Sequence, residues 1–232
     1  MSEKKNLTTK ETFDLAVQNH QKNNFKAAEN LYNQILKIDP NHIKTIFLLG
    51  TLSAQTKKFD IAKSLLYKAT QINPNYAAAH NNLGNVLKEL GEYQKAKSCY
   101  QKAIQIQPNY AEAHNNLGIV LQELEEHQKA ISCIKKAITI QPNYAVAHYN
   151  LGIVFKALQE HQKAMCCYQK AIQIQPNYAD AHNNLGIVLQ ELKEHQKAIS
   201  SYQKALKLEP SLVNAQANIS NIYISQLDDS EK

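Results

Sequence analysis

Six prolines in this chain stand at one constant spacing. Pro40, Pro74, Pro108, Pro142, Pro176 and Pro210 follow one another every 34 residues, and Gly50, Gly84, Gly118, Gly152 and Gly186 keep the same step. Proline and glycine usually punctuate loops at irregular intervals. When both are locked to one period, the chain is an array of a single supersecondary unit, each copy burying its apolar face against the next. With proline taken as position 32, the units run 9–42, 43–76, 77–110, 111–144, 145–178 and 179–212. A polar tail at 1–8 precedes them. A partial unit at 213–226 reads as a capping helix, followed by an acidic tail at 227–232 with Asp228, Asp229 and Glu231.

Within a unit the apolar residues fall at helical spacing. Positions 7, 8 and 11 hold Leu83, Gly84 and Leu87, then Leu117, Gly118 and Leu121, then Leu151, Gly152 and Phe155, one stripe of a first helix, A. Positions 20, 24 and 27 hold Ala96, Tyr100 and Ala103, then Ala164, Tyr168 and Ala171, the facing stripe of a second helix, B. Glycine opposite the two alanines lets the backbones approach, and the tyrosine fills the remaining space. Proline stops helix B, as Pro74, Pro108, Pro142, Pro176 and Pro210 should do, and the A–B turn is expected near Gly91-Glu92 and its equivalents. Asn109 followed by Glu112, and Asn177 followed by Asp180, predict capped starts for helix A.

The set Leu-Gly at 7–8, Ala at 20, an aromatic at 24, Ala at 27 and Pro at 32 resembles the tetratricopeptide repeat (TPR) family over Thr9 to Gln226. The match is weaker in the first two units, which have Leu15-Ala16 and Ile35, then Ser53 and Leu66, at motif positions; position 4, often tryptophan in the family, is His80, His114, His148 and His182. The resemblance implies an all-α TPR solenoid, a right-handed superhelix of stacked antiparallel helix pairs, with positions 2, 5, 6, 9, 12 and 13 of helix A lining a concave groove. Position 6 is Asn82, Asn116, Asn150, Asn184 and Asn218; position 5 adds Asn81, Asn115 and Asn183, interrupted by Tyr149, and Asn85 joins at position 9. Asp14 and Leu48 show that the row does not reach the first two units.

A row of amides has two readings. It can tie each helix A to its neighbour. It can also bind the backbone of a peptide whatever its side chains, since an amide carries both donors and an acceptor. Helices about 8–10 Å apart and a peptide rising about 3.3 Å per residue would put one rung at every third peptide residue. The string Ala-His-Asn-Asn-Leu-Gly, at 79–84, 113–118 and 181–186, is similar to the TPR superhelix of O-linked N-acetylglucosamine transferases, where an asparagine ladder holds substrate polypeptides. No catalytic domain accompanies it here. The carboxylate clamp of co-chaperones is not expected: Asn85 and Asn116 match it, but Asn81, Val146 and Asn150 stand where its cations belong.

The net charge is +6, and all 26 basic residues are lysine. Without arginine's planar fork, sequence-specific nucleic-acid reading is not expected. The recurrent lysines (Lys95, Lys129, Lys163 and Lys197 at position 19; Lys68, Lys102, Lys136, Lys170 and Lys204 at position 26) fall on helix B, away from the groove, and read as a solvated outer face. Glutamates at positions 13 and 16 close helix A. Neither histidine row (position 4, and His127, His161 and His195 at position 17) converges on a point, so no metal is expected. Cys99, Cys133, Cys166 and Cys167 are too far apart between units for disulfides and read as reduced thiols. The start Met-Ser-Glu-Lys-Lys-Asn has no apolar signal core, which points to the cytoplasm, and the acceptor patterns at Asn6 and Asn218 are then read as coincidence.

No catalytic constellation or cofactor motif is present, and no enzyme is expected. The leading expectation is a scaffold holding an extended peptide of a protein partner in an asparagine-lined groove, with no membrane or specific nucleic-acid partner. The alternatives are the substrate-selecting arm of a modifying enzyme, and a repeat that self-associates end to end.

Overall fold

The computed structural model describes residues 7–230, with side chains through residue 224. Asn6 and the side chains of Asp228, Asp229 and Glu231 lie outside the described residues. Within that span there are thirteen α-helices and no strand: α1 (Thr9–Gln21), α2 (Phe25–Ile38), α3 (Ile43–Gln55), α4 (Phe59–Ile72), α5 (Ala77–Glu89), α6 (Tyr93–Ile106), α7 (Ala111–Glu123), α8 (His127–Ile140), α9 (Ala145–Ala157), α10 (His161–Ile174), α11 (Ala179–Glu191), α12 (His195–Leu208) and α13 (Val213–Ser230). Odd-numbered helices are the A helices and even-numbered ones the B helices. The last helix runs past the expected end at 226.

The chain divides into two compact units, Met1–Ala113 and His114–Lys232, with the division falling in α7. In the first unit α1 to α6 pack as successive neighbours, and α3 also touches α5. In the second, α8 to α13 do the same, and α13 also touches α11. Each unit is therefore a short solenoid. The terminal α13 buries Ala215, Ile219 and Ile222 and leaves Val213, Tyr223 and Ile224 exposed.

The close approach of A to B is set by the position-8 glycines. A Cβ on Gly84 or Gly186 would lie 2.6 Å from the Cε1 of Tyr100 or Tyr202. The sequence pattern suggests that the glycine faces alanines; the structure puts it over the tyrosine ring itself. In the first pair Ala16 takes the same position opposite the fully buried Tyr32.

Each A helix ends in one repeated device. The residue at position 15 is left-handed in six pairs: Asn23, Lys57, Gly91, Glu125, Gln159 and Lys193, with φ of 58–73°. Its N–H reaches back to the carbonyl three residues earlier, and the next N–H reaches back five, as in Gly91 to Lys88 (2.9 Å) and Glu92 to Leu87 (2.8 Å). These are the two bonds of a Schellman motif. The A–B turn thus sits where Gly91-Glu92 predicts.

Helix B ends two residues before its proline. Gln107, Gln141 and Gln175 leave the helical region at φ near −130°, the conformation imposed on a residue before proline. The capping expectation is corrected. The cap position of α11 is Tyr178, without a side-chain cap bond, and α7 likewise starts two residues after Asn109. The Tyr178 N–H closes a turn onto the Gln175 carbonyl (3.1 Å), which places Asn177 at the corner, one residue out of reach of the helix N–H groups. A full capping box occurs instead at Thr8–Glu11, ahead of α1.

The position-16 glutamates are tied rather than merely solvated. Glu92, Glu126 and Glu194 pair with Lys95, Lys129 and Lys197 at 2.5 Å, Glu160 pairs with Lys163, and Glu92 also meets Lys63 at 2.5 Å. Pairs this exposed contribute little to stability.

Candidate functional site

Helix A presents positions 5 and 6 side by side, and the structure separates them by burial. Asn81 is 0% and Asn115 1% exposed. The Asn81 amide donates to the Glu112 carboxylate on the following helix A (3.1 Å), so Glu112 serves the amide row rather than a helix cap. Asn150 donates to the Asn115 carbonyl oxygen (2.9 Å), and Asn115 donates to Asn116 (3.3 Å). Asn183 is half-buried, and its Oδ1 is buried with no hydrogen-bond partner among the described residues. Position 5 therefore offers far less surface to a ligand than the sequence pattern suggests, because its side chains point into the seam between consecutive A helices.

Position 6 is more accessible. Asn82 and Asn184 are half-buried and each directs one N–H to the preceding helix A: Asn82 to the Thr51 hydroxyl (3.1 Å), Asn184 to the Tyr149 hydroxyl (2.9 Å). Asn150 is the buried member, at 9% exposure. Asn218 bonds to the Tyr202 hydroxyl, which itself donates to Gln190 (3.0 Å). The neighbour-tying reading of the row thus describes part of its bonding. Asn150→Ala should lower stability by about 2 kcal/mol, because it strands a buried carbonyl oxygen. Asn82→Ala, at a wetter site, should cost under about 1 kcal/mol. Urea unfolding of the two variants checks the order.

Tyrosine hydroxyls of helix B reach the same face. Tyr100 donates to the Asn85 carbonyl oxygen (2.7 Å), and burial pushes its pKa up. Tyr168 is equally buried, but its hydroxyl has no hydrogen-bond partner among the described residues; positions 9 and 12 of α9, Ile153 and Lys156, offer no acceptor side chain. Tyr149 packs against Tyr178 (ring centroids 4.9 Å apart) and Tyr168 (5.8 Å). Phe47 and Tyr76 form the corresponding pair in the first unit, at 4.8 Å.

The histidines and cysteines do not assemble a centre. His80, His148 and His182 bond through Nε2 to the carbonyls of Pro74, Pro142 and Pro176 at 3.0–3.1 Å, fixing the B-to-A turn. Burial lowers the His80 pKa. Among the described residues no three metal-ligand side chains come together. Burial raises the thiols of Cys99 and Cys167 to about 11, which keeps them protonated.

On the opposite face, repetition leaves a feature that the sequence pattern does not reveal. A cleft of about 620 Å³ lies between α4 and α6 over Leu83 and Leu87, and one of about 310 Å³ lies between α10 and α12 over Leu185 and Leu189. No helix of the described residues is long and apolar enough to cross a membrane.

Comparison with known proteins accords with this architecture. Family models described as tetratricopeptide repeat match residues 14–42, 43–76, 75–143, 109–177 and 179–212. No curated protein matches the chain. A crystal structure of MamA is 28% identical over 72% of this chain and 97% of its own, with a TM-score of 0.62. YrrB, described as a TPR protein with an unusual peptide-binding site, is 20% identical over 80% of this chain and 96% of its own, with a TM-score of 0.61. PilF of Pseudomonas aeruginosa is 19% identical over 92% of this chain and 97% of its own, with a TM-score of 0.78. The last two show likeness of fold alone.

Proposed function

Because the chain belongs to the tetratricopeptide repeat family, we propose that it is a non-catalytic interaction scaffold that holds an extended peptide segment of a protein partner along the helix A face. The observation that carries this is the half-used amide. Asn82 and Asn184 each direct one N–H to the preceding helix. An amide has two N–H donors and a carbonyl oxygen, so each has groups left for a peptide backbone while the internal bond holds its orientation. Such a face selects backbone shape first and side chains second.

The test is capture of partners by the full chain, mapping of the bound segment, and titration of the mapped peptide. Asn82→Ala should weaken a segment held on the first unit, and Asn184→Ala one held on the second, about tenfold, the worth of one or two hydrogen bonds, with helical content unchanged. Replacing Asn116, Asn150 and Asn184 together is a poorer probe, because Asn150 also holds the buried Asn115. Normal affinity in both single variants would remove the amide row from the site.

The same row would serve a substrate-holding arm of a modifying enzyme. The string repeated at 79–84, 113–118 and 181–186 is what favours that second reading. It requires the mapped segment to be a modified segment of the partner.

A further inference from the structure

One corner of the helix A face departs from the repeat. Position 5 of α9 is Tyr149 where α5, α7 and α11 have asparagine. Its ring lies 4.9 Å from that of Tyr178, in the loop before α11, and 5.8 Å from Tyr168 beneath. Asn184 holds its hydroxyl at 2.9 Å. Two residues after Tyr178 comes Asp180, exposed and without an ion pair among the described residues. Its carboxylate acts on both rings. Burial chiefly raises the Tyr149 and Tyr178 pKa values, the latter to about 12, and the charge of Asp180 adds to each.

We propose that Tyr149, Tyr178 and Asp180 form a subsite for a cationic side chain, lysine or arginine, of the bound peptide. This rests on the peptide-holding reading and names the side chain that the face prefers. A cation is attracted to a tyrosine face within about 6 Å of the ring centre, and an unpaired carboxylate beside the rings supplies the counter-charge. The chain already shows the first contact on another ring, with Lys163 Nζ 5.4 Å from the centre of Phe155.

The other units act as internal controls. Phe47 and Tyr76 repeat the ring pair, but Ala78 replaces the acid. Glu112 supplies an acid, but Asn81 stands in place of the ring and takes its carboxylate. Asn115 with Val146 has neither. Among the described residues, ring, ring and free carboxylate coincide only at 149, 178 and 180. A second observation points to the same corner: the Tyr168 hydroxyl is buried there with no hydrogen-bond partner among the described residues, its oxygen open to an N–H donor, whereas its equivalents Tyr100 and Tyr202 donate to side chains of the A face. The preference is opposite to that suggested by a net charge of +6, of which the recurrent lysines at positions 19 and 26 lie on helix B.

The test titrates the full chain by NMR with two short serine–alanine peptides that differ at one central residue, lysine or norleucine. The lysine peptide should bind about tenfold more tightly. Asp180→Asn should reduce it to the norleucine value and leave the norleucine peptide unchanged. Tyr149→Asn, which restores the residue of the neighbouring units, should also erase the preference with circular dichroism unaltered. Equal binding of both peptides to the wild-type chain, still weakened by Asn184→Ala, would overturn the cationic subsite and leave the peptide face standing. A lysine preference that survives both variants would place the cation elsewhere and overturn it too. If neither peptide binds, both readings fall.

Discussion

Gly152→Val should destabilise the second unit by about 3 kcal/mol, the upper part of the overpacking range. A Cβ at this position would stand 2.6 Å from Cε1, 2.8 Å from Cδ1 and 3.0 Å from Cζ of Tyr168. The ring cannot swing aside, because Tyr168 is fully buried and backed by Tyr149. Alanine at the same site gains up to about 1 kcal/mol of helix propensity over glycine, so its net cost should be only about 1 kcal/mol. The first helix pair shows how a single methyl is housed, with Ala16 against Tyr32. Valine adds two branches in a direction where α9 and α10 have no slack. The second substitution Tyr168→Leu should restore part of the loss, since Leu66 opposite Gly50 offers a side chain that can turn. Urea unfolding followed by circular dichroism checks both. In an array whose stability is a sum of local terms, the variant should also separate the transition, with residues 114–232 unfolding first. An unchanged midpoint would mean that the A–B approach is looser than 2.6 Å implies.

That close approach was legible in the sequence because it is written by residue type. A small residue is needed over a ring, and the 34-residue step repeats Gly with Tyr in three units, at 84 and 100, 152 and 168, and 186 and 202. The helices, their order and the loop prolines were legible for the same reason. The division between positions 5 and 6 was not. Asparagine is the residue at both, and burial of Asn81 and Asn115 depends on which side the adjacent helix A lies, which no single-unit pattern encodes. The partners compound this: Asn81 meets Glu112 and Asn150 meets Asn115, each about one repeat away. The cap misreading has a local cause. Asn177 and Asp180 have capping-box spacing, but the turn closed by the Tyr178 N–H shifts the helix start by one residue. The Tyr149–Tyr178 corner was half visible, as an interruption of the amide row. Its second ring lies in a loop, outside the positions that the family pattern marks as groove.

The left-handed position 15 was hidden for the opposite reason, since only Asn23 and Gly91 among its six residues carry the signal. It yields the largest stabilisation expected here. Replacing Lys57, Glu125, Gln159 and Lys193 together by glycine should raise stability by about 3 kcal/mol. A non-glycine residue in this conformation costs about 1–2 kcal/mol, and the extra freedom of glycine in the unfolded chain offsets about 0.5–1 kcal/mol of the gain. The net is then about 0.5–1 kcal/mol per site. Nothing else is lost, because all four side chains are exposed and none makes an ion pair among the described residues. Asn23 is left in place, since asparagine tolerates the conformation. The sites are at least 34 residues apart, so the increments should add. Gly91→Ala is the reciprocal experiment and should cost about 1 kcal/mol. If the four glycines leave the midpoint unchanged while Gly91→Ala still costs stability, the two backbone bonds of the motif, not the side chain, set the energy of the turn. In that case the sequence freedom at position 15 is physical rather than tolerated strain.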